Sequence, residues 1–492
     1  MRFIVSIILC FAVYSVDCTV YALTDETDRS VRGYGFRQFI AYLENENEMV
    51  RIKKEVDPKF ELPAVLWKLQ ACNKAAIFEK VKGSTIPVVG GLLSTRERIA
   101  RSLSVRQTDA FLTMQDRRFL DDALAAPVPY RVVETGPVKD VIRKGADADL
   151  TLLPVPTFFE DDSGPFITGG VGITRNPDTG VLNAGIYRIW VMGKNTITVN
   201  ASPRGDLSAI YRSAREQGKE LPIAVVIGVD PAVLVASTTK TPRTISELDV
   251  AGALQGKPIP VVRCENSDLL VPAHAEIVVE GTVDFTRTVK NTLGEGAGYY
   301  GSKKNPVVRV TAVTHRRDAI FYTILAGPSK EHTTLGGYGI KNLTDPLVEA
   351  IKEKFPSIKK LRAFPTGNAF HLAVAIEKKD REEPMSLIKD IFNTTVGPMT
   401  VSSIIKRIVV VDTDVDIFNE RDVEWAIWSR VGAAKRFLIM PDVPSTKFEL
   451  AAKNSLSVRV GIDATKDPEN AEKLKRAVIP GLKEINVDDY LE

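Results

Sequence analysis

The stretch Val181-Leu-Asn-Ala-Gly-Ile-Tyr-Arg-Ile-Trp190 decides how the chain is read. Its β-branched and aromatic residues mark a strand, with 185–200 read as one extended run. Asn183 and Arg188 differ by an odd number of positions, which in a regular strand puts two side chains on opposite faces. If both serve one site, the strand has to bend or bulge between them, and Gly185 is the residue that would permit it. A carboxamide and a guanidinium set together on a sheet need a chemical reason, and the rest of the chain has to supply it.

A chain of 492 residues is too long for one compact core, so two or three domains are expected. The 65 basic and 62 acidic residues nearly balance, and no basic run is interleaved with aromatics. That argues against nucleic acid as a partner. Cys10, Cys18, Cys72 and Cys264 have neither metal-type spacing nor the look of a disulfide framework. Only four histidines occur (His274, His315, His332 and His371), so any metal is expected to take mainly oxygen ligands. Arg2, the apolar run over 4–16 and the small residues around Val20-Tyr21-Ala22 read as a secretory signal peptide over 1–22. A run of ~13 apolar residues is too short to cross a bilayer, and no other stretch approaches ~18, so no membrane span is expected.

Further out, 33–131 reads as an N-terminal α/β domain, 132–328 as a β-rich domain and 329–492 as a C-terminal α/β domain. Helical spacing marks 36–43, and 86–92 reads as a short buried strand. Strands are expected over 221–229, 259–264, 275–283 and 306–325. Asp206 is expected to cap a helix over 207–217, with Gly218 as its stop. Ser246-Glu-Leu-Asp249 reads as a helix first turn with acids on the positive end of the dipole. Thr344-Asp-Pro-Leu347 reads as the opening of another helix, with proline in its first turn. A buried strand over 406–412 and a helix over 422–430 follow. Gly169-Gly-Val-Gly172 and Leu335-Gly-Gly-Tyr-Gly339 read as tight turns, and neither a phosphate loop nor a nucleophile elbow is present.

Three weak signals remain: Arg188 beside Tyr187, the acids of 246–249, and Glu295 held between glycines in Leu293-Gly-Glu-Gly-Ala-Gly-Tyr-Tyr300. Their joint order is specific. With Val191-Met-Gly-Lys-Asn195, Ser202-Pro-Arg-Gly205, Ala251-Gly252, the run Val271-Pro-Ala-His to Glu280-Gly281, and Val460-Gly-Ile-Asp-Ala-Thr465, the chain resembles the UbiD-type decarboxylases from roughly 33 to 480. These enzymes use prenylated FMN and include ferulic acid and polyprenyl-hydroxybenzoate decarboxylases.

The resemblance implies a central split β-barrel that holds the flavin, flanked by N-terminal and C-terminal α/β domains. It implies that Asn183 and Glu247 ligate a divalent ion, manganese or magnesium, that clamps the cofactor phosphate, with potassium as a second ion. Hard oxygen donors suit such a cation beside phosphate. Ile186, Tyr187, Arg188, Arg204 and Gly205 match flavin-contacting positions. Glu295 matches the acid that protonates the carbon left when carbon dioxide departs, and Arg188 would orient the leaving carboxylate. Burial beside an apolar substrate is expected to raise the Glu295 pKa towards the working pH.

The implied activity is non-oxidative, reversible decarboxylation of an aromatic, heteroaromatic or α,β-unsaturated acid. Two alternatives stand beside it, a flavin-binding homologue without decarboxylase activity and the polyprenyl-hydroxybenzoate decarboxylase of quinone biosynthesis. A flavin prenyltransferase would supply the cofactor, and a homo-oligomer, dimer or hexamer, is implied. Location stays open between the cytoplasm, implied by the resemblance, and an exported site, implied by 1–22. The chain departs from the family pattern at three places. Lys290 stands where a second glutamate precedes the acid in ferulic acid decarboxylase-like members. Pro203 replaces a histidine of some members, and a phosphate-contacting lysine has no counterpart near Thr400 unless Lys406 serves.

Overall fold

The structure, a computed structural model, describes residues 33–105, 118–202, 205–364, 370–445, 449 and 451–477. The signal-like segment 1–22 and the Pro203-Arg204 pair lie outside the described residues.

The middle of the chain forms a nine-stranded antiparallel sheet. Its strands are β1 (Val141–Lys144), β2 (Phe166–Ile167), β3 (Gly170–Arg175), β4 (Leu182–Ile186), β5 (Ile189–Val191), β6 (Thr196–Val199), β7 (Pro222–Ile227), β8 (Ile277–Gly294) and β9 (Tyr300–His315). They pair in the order β2-β5-β6-β9-β8-β7-β3-β4, with β1 added alongside β9. The strands β4 and β5 follow one another in sequence yet sit towards opposite ends of this order. Six strand spacings of ~4.8 Å would hold them ~29 Å apart in a flat sheet. Ile186 and Ile189 are joined by peptide steps of ~3.8 Å each, which reach ~11 Å at most. The sheet therefore curls until its two ends meet, and Tyr187-Arg188 crosses the seam. Register shifts in β8 between Glu280 and Gly281 and between Asp284 and Thr288 add the local bending that such closure needs.

This geometry brings Asn183 and Arg188 to one seam, and it corrects the expectation for Gly185. Strand β4 pairs with β3 in unbroken register from Leu182 opposite Arg175 to Ile186 opposite Val171. No bulge occurs at Gly185. The single strand expected over 185–200 is instead three, and the direction changes at the seam. Gly185 pairs with Gly172, and a Cβ on Gly185 would come within 2.6 Å of the Tyr187 hydroxyl and one on Gly172 within 2.7 Å of its ring. The two glycines are the bed on which that ring lies. Gly169 to Gly172, expected as a turn, leads into and forms part of β3.

Two helices abut this sheet, α1 (Asp206–Glu216) and α2 (Glu247–Gln255). Gly205, not Asp206, is the N-cap of α1, so Asp206 occupies the first helical position. Ser246 caps α2, its hydroxyl accepting from the Leu248 amide at 3.3 Å.

The N-terminal part carries a four-stranded sheet of Met49–Ile52, Ala75–Phe78, Val88–Gly90 and, as its last strand, Phe321–Thr323 from beyond the barrel. The cores of these two parts merge into one apolar cluster. The C-terminal part has a five-stranded sheet ordered Ile358–Ala363, His371–Ile376, Arg407–Asp412, Leu456–Asp463 and Phe437–Pro444, with a separate apolar core on each face.

Helix α3 (Lys330–Lys354) ties the two ends together. Leu335 and Tyr338 pack in the barrel core, and Leu347 and Ile351 pack against the C-terminal sheet. The expected helix opening at Thr344 is therefore displaced. Helix α3 opens at Ser329, whose hydroxyl accepts from the His332 amide at 3.3 Å, and Pro346 lies inside it. Leu335-Gly-Gly-Tyr-Gly339 is helical rather than a turn. Burial at both ends outweighs the weak helix propensity of glycine and proline. Among the described residues, no helix is long and apolar enough to cross a membrane.

Candidate functional site

The seam organises two charged groups of residues. At one, Asn183 of β4 faces the first turns of α1 and α2. Asn176, Asp178, Asn183, Asp206, Thr241 and Glu247 are among the residues lining a cleft of about 40 Å³ there. Glu247 is buried, with Oε1 accepting from the Thr241 hydroxyl at 2.6 Å and Oε2 from the Ala184 amide at 2.7 Å. Burial pushes its carboxyl up to about 7, against the pull of those two hydrogen bonds. The Asn183 amide nitrogen donates to the Tyr187 hydroxyl at 3.3 Å, which leaves its amide oxygen for a cation. Burial also raises the Tyr187 phenol.

These residues suit a divalent cation and a phosphate. A buried carboxylate without a cation is in an unfavourable state, and the two helix N-termini supply amides and positive dipole ends to an anion. The donors are all oxygen, as magnesium or manganese prefers. Among the described residues no group of three or more His, Cys, Asp or Glu side chains gathers, so Asn183 and ligand oxygens would have to complete the coordination.

On the other side of the seam Arg188 meets Glu295. Asn200 fixes the Arg188 backbone, its amide donating to the Arg188 carbonyl at 3.0 Å. Glu295 starts the turn between β8 and β9, where its amide donates to the Tyr299 carbonyl at 2.8 Å. Asp162 braces that turn, accepting from the Gly294 amide at 3.0 Å and from the Phe159 amide at 2.9 Å. The Arg188 guanidinium hydrogen-bonds Glu295 Oε2, and Lys303 Nζ lies 3.9 Å from Oε1. Burial by itself would raise the Glu295 carboxyl, but Arg188 and then Lys303 outweigh it and hold it below its ordinary value. This direction is opposite to the rise expected beside an apolar substrate, because Arg188 and Lys303 lie against the carboxyl.

His332, in the first turn of α3, completes the group. Its Nδ1 lies 2.6 Å from the Gly327 carbonyl, so the neutral ring donates there and keeps Nε2 as an acceptor. Burial, then Arg188, lower its pKa and favour that neutral form.

In the sequence His332 is an isolated histidine and Lys303 carries no motif. The first turn that follows Ser329 was the available signal for the one, and the period-two pattern of β9 for the other. Lys290, where a second glutamate was sought, is exposed on the other face of β8. The inward position beside it is Asn291, which donates to Thr198 Oγ1 at 2.9 Å and to Asn200 Oδ1 at 2.8 Å. Lys406 binds Glu449 Oε2 at 2.7 Å and Ser457 Oγ at 3.2 Å within the C-terminal part. Ile186 and Gly205 border the seam and the α1 N-terminus. Arg204 lies outside the described residues.

Comparison with known proteins agrees with this architecture. Family models for the N-terminal, Rift-related and C-terminal domains of 3-octaprenyl-4-hydroxybenzoate carboxy-lyase (UbiD) match residues 40–117, 131–329 and 338–464. The chain belongs to the UbiD family. It is 31% identical over 454 residues to the anhydromevalonate phosphate decarboxylase of Methanosarcina mazei, covering 90% of this chain and 99% of that one. The UbiD-class enzyme HmfF from Pelotomaculum thermopropionicum in complex with FMN superposes with a TM-score of 0.79 at 36% identity, covering 93% of this chain and all of the other, 100%. An evolved dimeric form of HmfF, in complex with prFMN, gives 0.76 at 36% identity and the same coverage, 93% and 100%. The 3,4-dihydroxybenzoic acid decarboxylase AroY of Klebsiella pneumoniae gives 0.78 at 25% identity, covering 94% and 99%.

Proposed function

We propose that the protein is a carboxy-lyase that removes carbon dioxide, without net oxidation, from an aromatic, heteroaromatic or α,β-unsaturated carboxylic acid with the help of prenylated FMN. The ion pair of Arg188 with Glu295, inside the curled sheet and across the seam from an oxygen-lined cleft, carries this reading. When bound, the flavin supplies a sink for the electron pair left by the broken C–C bond. Asn183 and Glu247 would hold manganese or magnesium against its phosphate, and potassium would accompany it. Ile186, Tyr187, Arg188, Arg204 and Gly205 would line its site. HmfF, described in complex with FMN and with prFMN, and the decarboxylases named above support the flavin and the reaction type.

Arg188 would engage the substrate carboxylate and thereby loosen its own hold on Glu295. With less positive charge beside it, the Glu295 carboxyl gains affinity for a proton. Carbon dioxide leaves, the electron pair stays on carbon, and the Glu295 proton takes the vacated bond. A flavin prenyltransferase would supply the cofactor, and the protein would work as a homo-oligomer.

The test is to co-express the protein with a flavin prenyltransferase, purify it with manganese and potassium, and record the absorbance and the mass of the released cofactor. A panel of aryl and acrylic acids is then screened for carbon dioxide release. Bound prenylated FMN with turnover that is lost in Glu295→Gln supports the reading. Bound flavin with no release from any acid would favour a flavin-binding homologue without decarboxylase activity.

A further inference from the structure

The far half of the β8–β9 hairpin, which carries Glu295 at its tip, runs beyond the main sheet. Strand β7 pairs with β8 only as far as Thr282, and β6 pairs with β9 only over Val307 to Arg309. From Thr288 to Gly294, β8 pairs with β9 alone among the described strands. A two-stranded ribbon holds its shape only marginally by itself, and the glycines on both sides of Glu295 loosen its tip further. The segment 158–163 supplies the support. The Ser163 amide donates to the Thr292 carbonyl at 2.9 Å, and the Ser163 hydroxyl accepts from the Thr292 amide at 2.8 Å. The Asp161 amide donates to the Tyr300 hydroxyl at 3.1 Å. The Asp162 carboxylate is divided: Oδ2 takes the Phe158 and Phe159 amides of its own turn, at 3.2 and 2.9 Å, and Oδ1 takes the Gly294 amide at 3.0 Å. That last bond fixes the backbone from which Glu295 projects. The Phe159 ring lies against both Gly294 and Gly327. A Cβ on Gly327 would come within 2.6 Å of the ring, and one on Gly294 would overlap it. The Gly327 carbonyl in turn holds His332 Nδ1.

We propose that Asp162 and Phe159 are positioning residues for the proton donor, holding the Gly294–Glu295 peptide so that the Glu295 carboxyl meets the Arg188 guanidinium. This rests on the decarboxylase reading and adds to it the part that aims the acid. One carboxylate staples the 158–162 turn to the hairpin tip, and one ring fills the gap between that tip and the carbonyl that orients His332. Glu295 and His332 are thereby set by a single element. Misplacing a reacting group by about 1 Å can cost on the order of 10²-fold in rate. Asp162→Asn turns an amide nitrogen towards at least one of the three backbone donors, which then loses its acceptor. Once away from its place, the Glu295 carboxyl should take up a proton at higher pH, because burial would then act without the opposing guanidinium.

Infrared titration of the purified, substrate-free protein tests this directly, with the Glu295 carboxyl band identified by its loss in Glu295→Gln. In Asp162→Asn the midpoint of that band should rise. In Phe159→Leu, which keeps the three amide bonds but not the ring, it should rise by less. Asp284→Asn, the same change at an aspartate that accepts from the Thr286 amide and hydroxyl elsewhere on β8, should leave the midpoint in place. With an acid that the flavin-loaded protein turns over, kcat in Asp162→Asn should fall by about 10- to 100-fold while KM stays within about twofold. An unmoved midpoint, an unchanged kcat, or a loss confined to KM in Asp162→Asn would overturn the proposal. If Asp162→Asn does not fold, Phe159→Leu decides by the same midpoint, a rise supporting the proposal and no rise refuting it. If no acid is turned over, the decarboxylase reading fails, and the midpoint still decides whether Asp162 and Phe159 place Glu295 against Arg188.

Discussion

Glu247 and Glu295 are two glutamates of one barrel, and their surroundings push them in opposite directions. Glu247 is buried among hydroxyl and amide donors with no basic partner among the described residues, and burial lifts its carboxyl to about 7. Glu295 is more accessible and faces Arg188 and Lys303, which hold it ionised. Under the proposed function the first would meet a cation and the second would share Arg188 with an acid substrate, so the two sides of the seam would serve cofactor phosphate and substrate respectively. Residue type alone distinguishes nothing here, since both are glutamates in short polar segments.

The sharpest way to break this contrast is at Glu295. Glu295→Gln keeps the shape and removes the proposed proton donor, so kcat should fall by ~10²- to 10⁴-fold while the flavin absorbance is retained. Loss of flavin instead would place Glu295 in cofactor binding.

The opposite glutamate is tested through stability. Between the unfolded value of 4.5 and the folded value of about 7, folded Glu247 holds a proton that the unfolded chain gives up. Stability from this group is therefore full below the unfolded pKa and declines as pH rises through the folded one, by on the order of 3 kcal/mol. Thermal melts of metal-free, flavin-free protein should thus show a lower Tm at pH 8 than at pH 5.5. Added manganese should reverse much of that drop, and Glu247→Gln should abolish both the drop and the rescue. A pH-independent Tm would contradict the assignment.

Smaller effects follow from the seam itself. Gly185→Ala sets a methyl against the Tyr187 ring and should cost ~1–3 kcal/mol by overpacking, visible in chemical denaturation together with weaker flavin retention. The smallest effect is expected at Lys290. Its side chain is exposed on the outer face, so Lys290→Glu should change kcat/KM by no more than about twofold. A large gain there would mean that the hairpin register differs in the working enzyme.

The sequence makes the candidate residues Asn183, Arg188, Glu247 and Glu295 legible through short stretches whose order is itself informative, and the structure sets Asn183 beside Glu247 and Arg188 against Glu295. What escaped depends on register and packing. Lys303 enters the site only because the pairing of β8 with β9 puts it beside Asn291, and one step of slip would send it outward. Lys290 stands five residues before Glu295, but strand alternation makes Asn291 the inward residue. His332 needed the start of α3, which the local pattern had placed at Thr344 because Pro346 imitates a first-turn proline. The bend expected at Gly185 failed for a related reason. The direction change is a property of sheet closure, set by which strands end up adjacent, and no local residue encodes it.

The last strand of the N-terminal sheet has a consequence for biogenesis. During synthesis the edge at Val88–Gly90 leaves the ribosome long before Phe321–Thr323, its parallel neighbour, has been made. Until the whole barrel has emerged, that edge exposes unpaired backbone groups and apolar side chains to the cell. The N-terminal part is thus a poor candidate for independent expression, and nascent chains stalled before Phe321 should be the ones that chaperones hold longest.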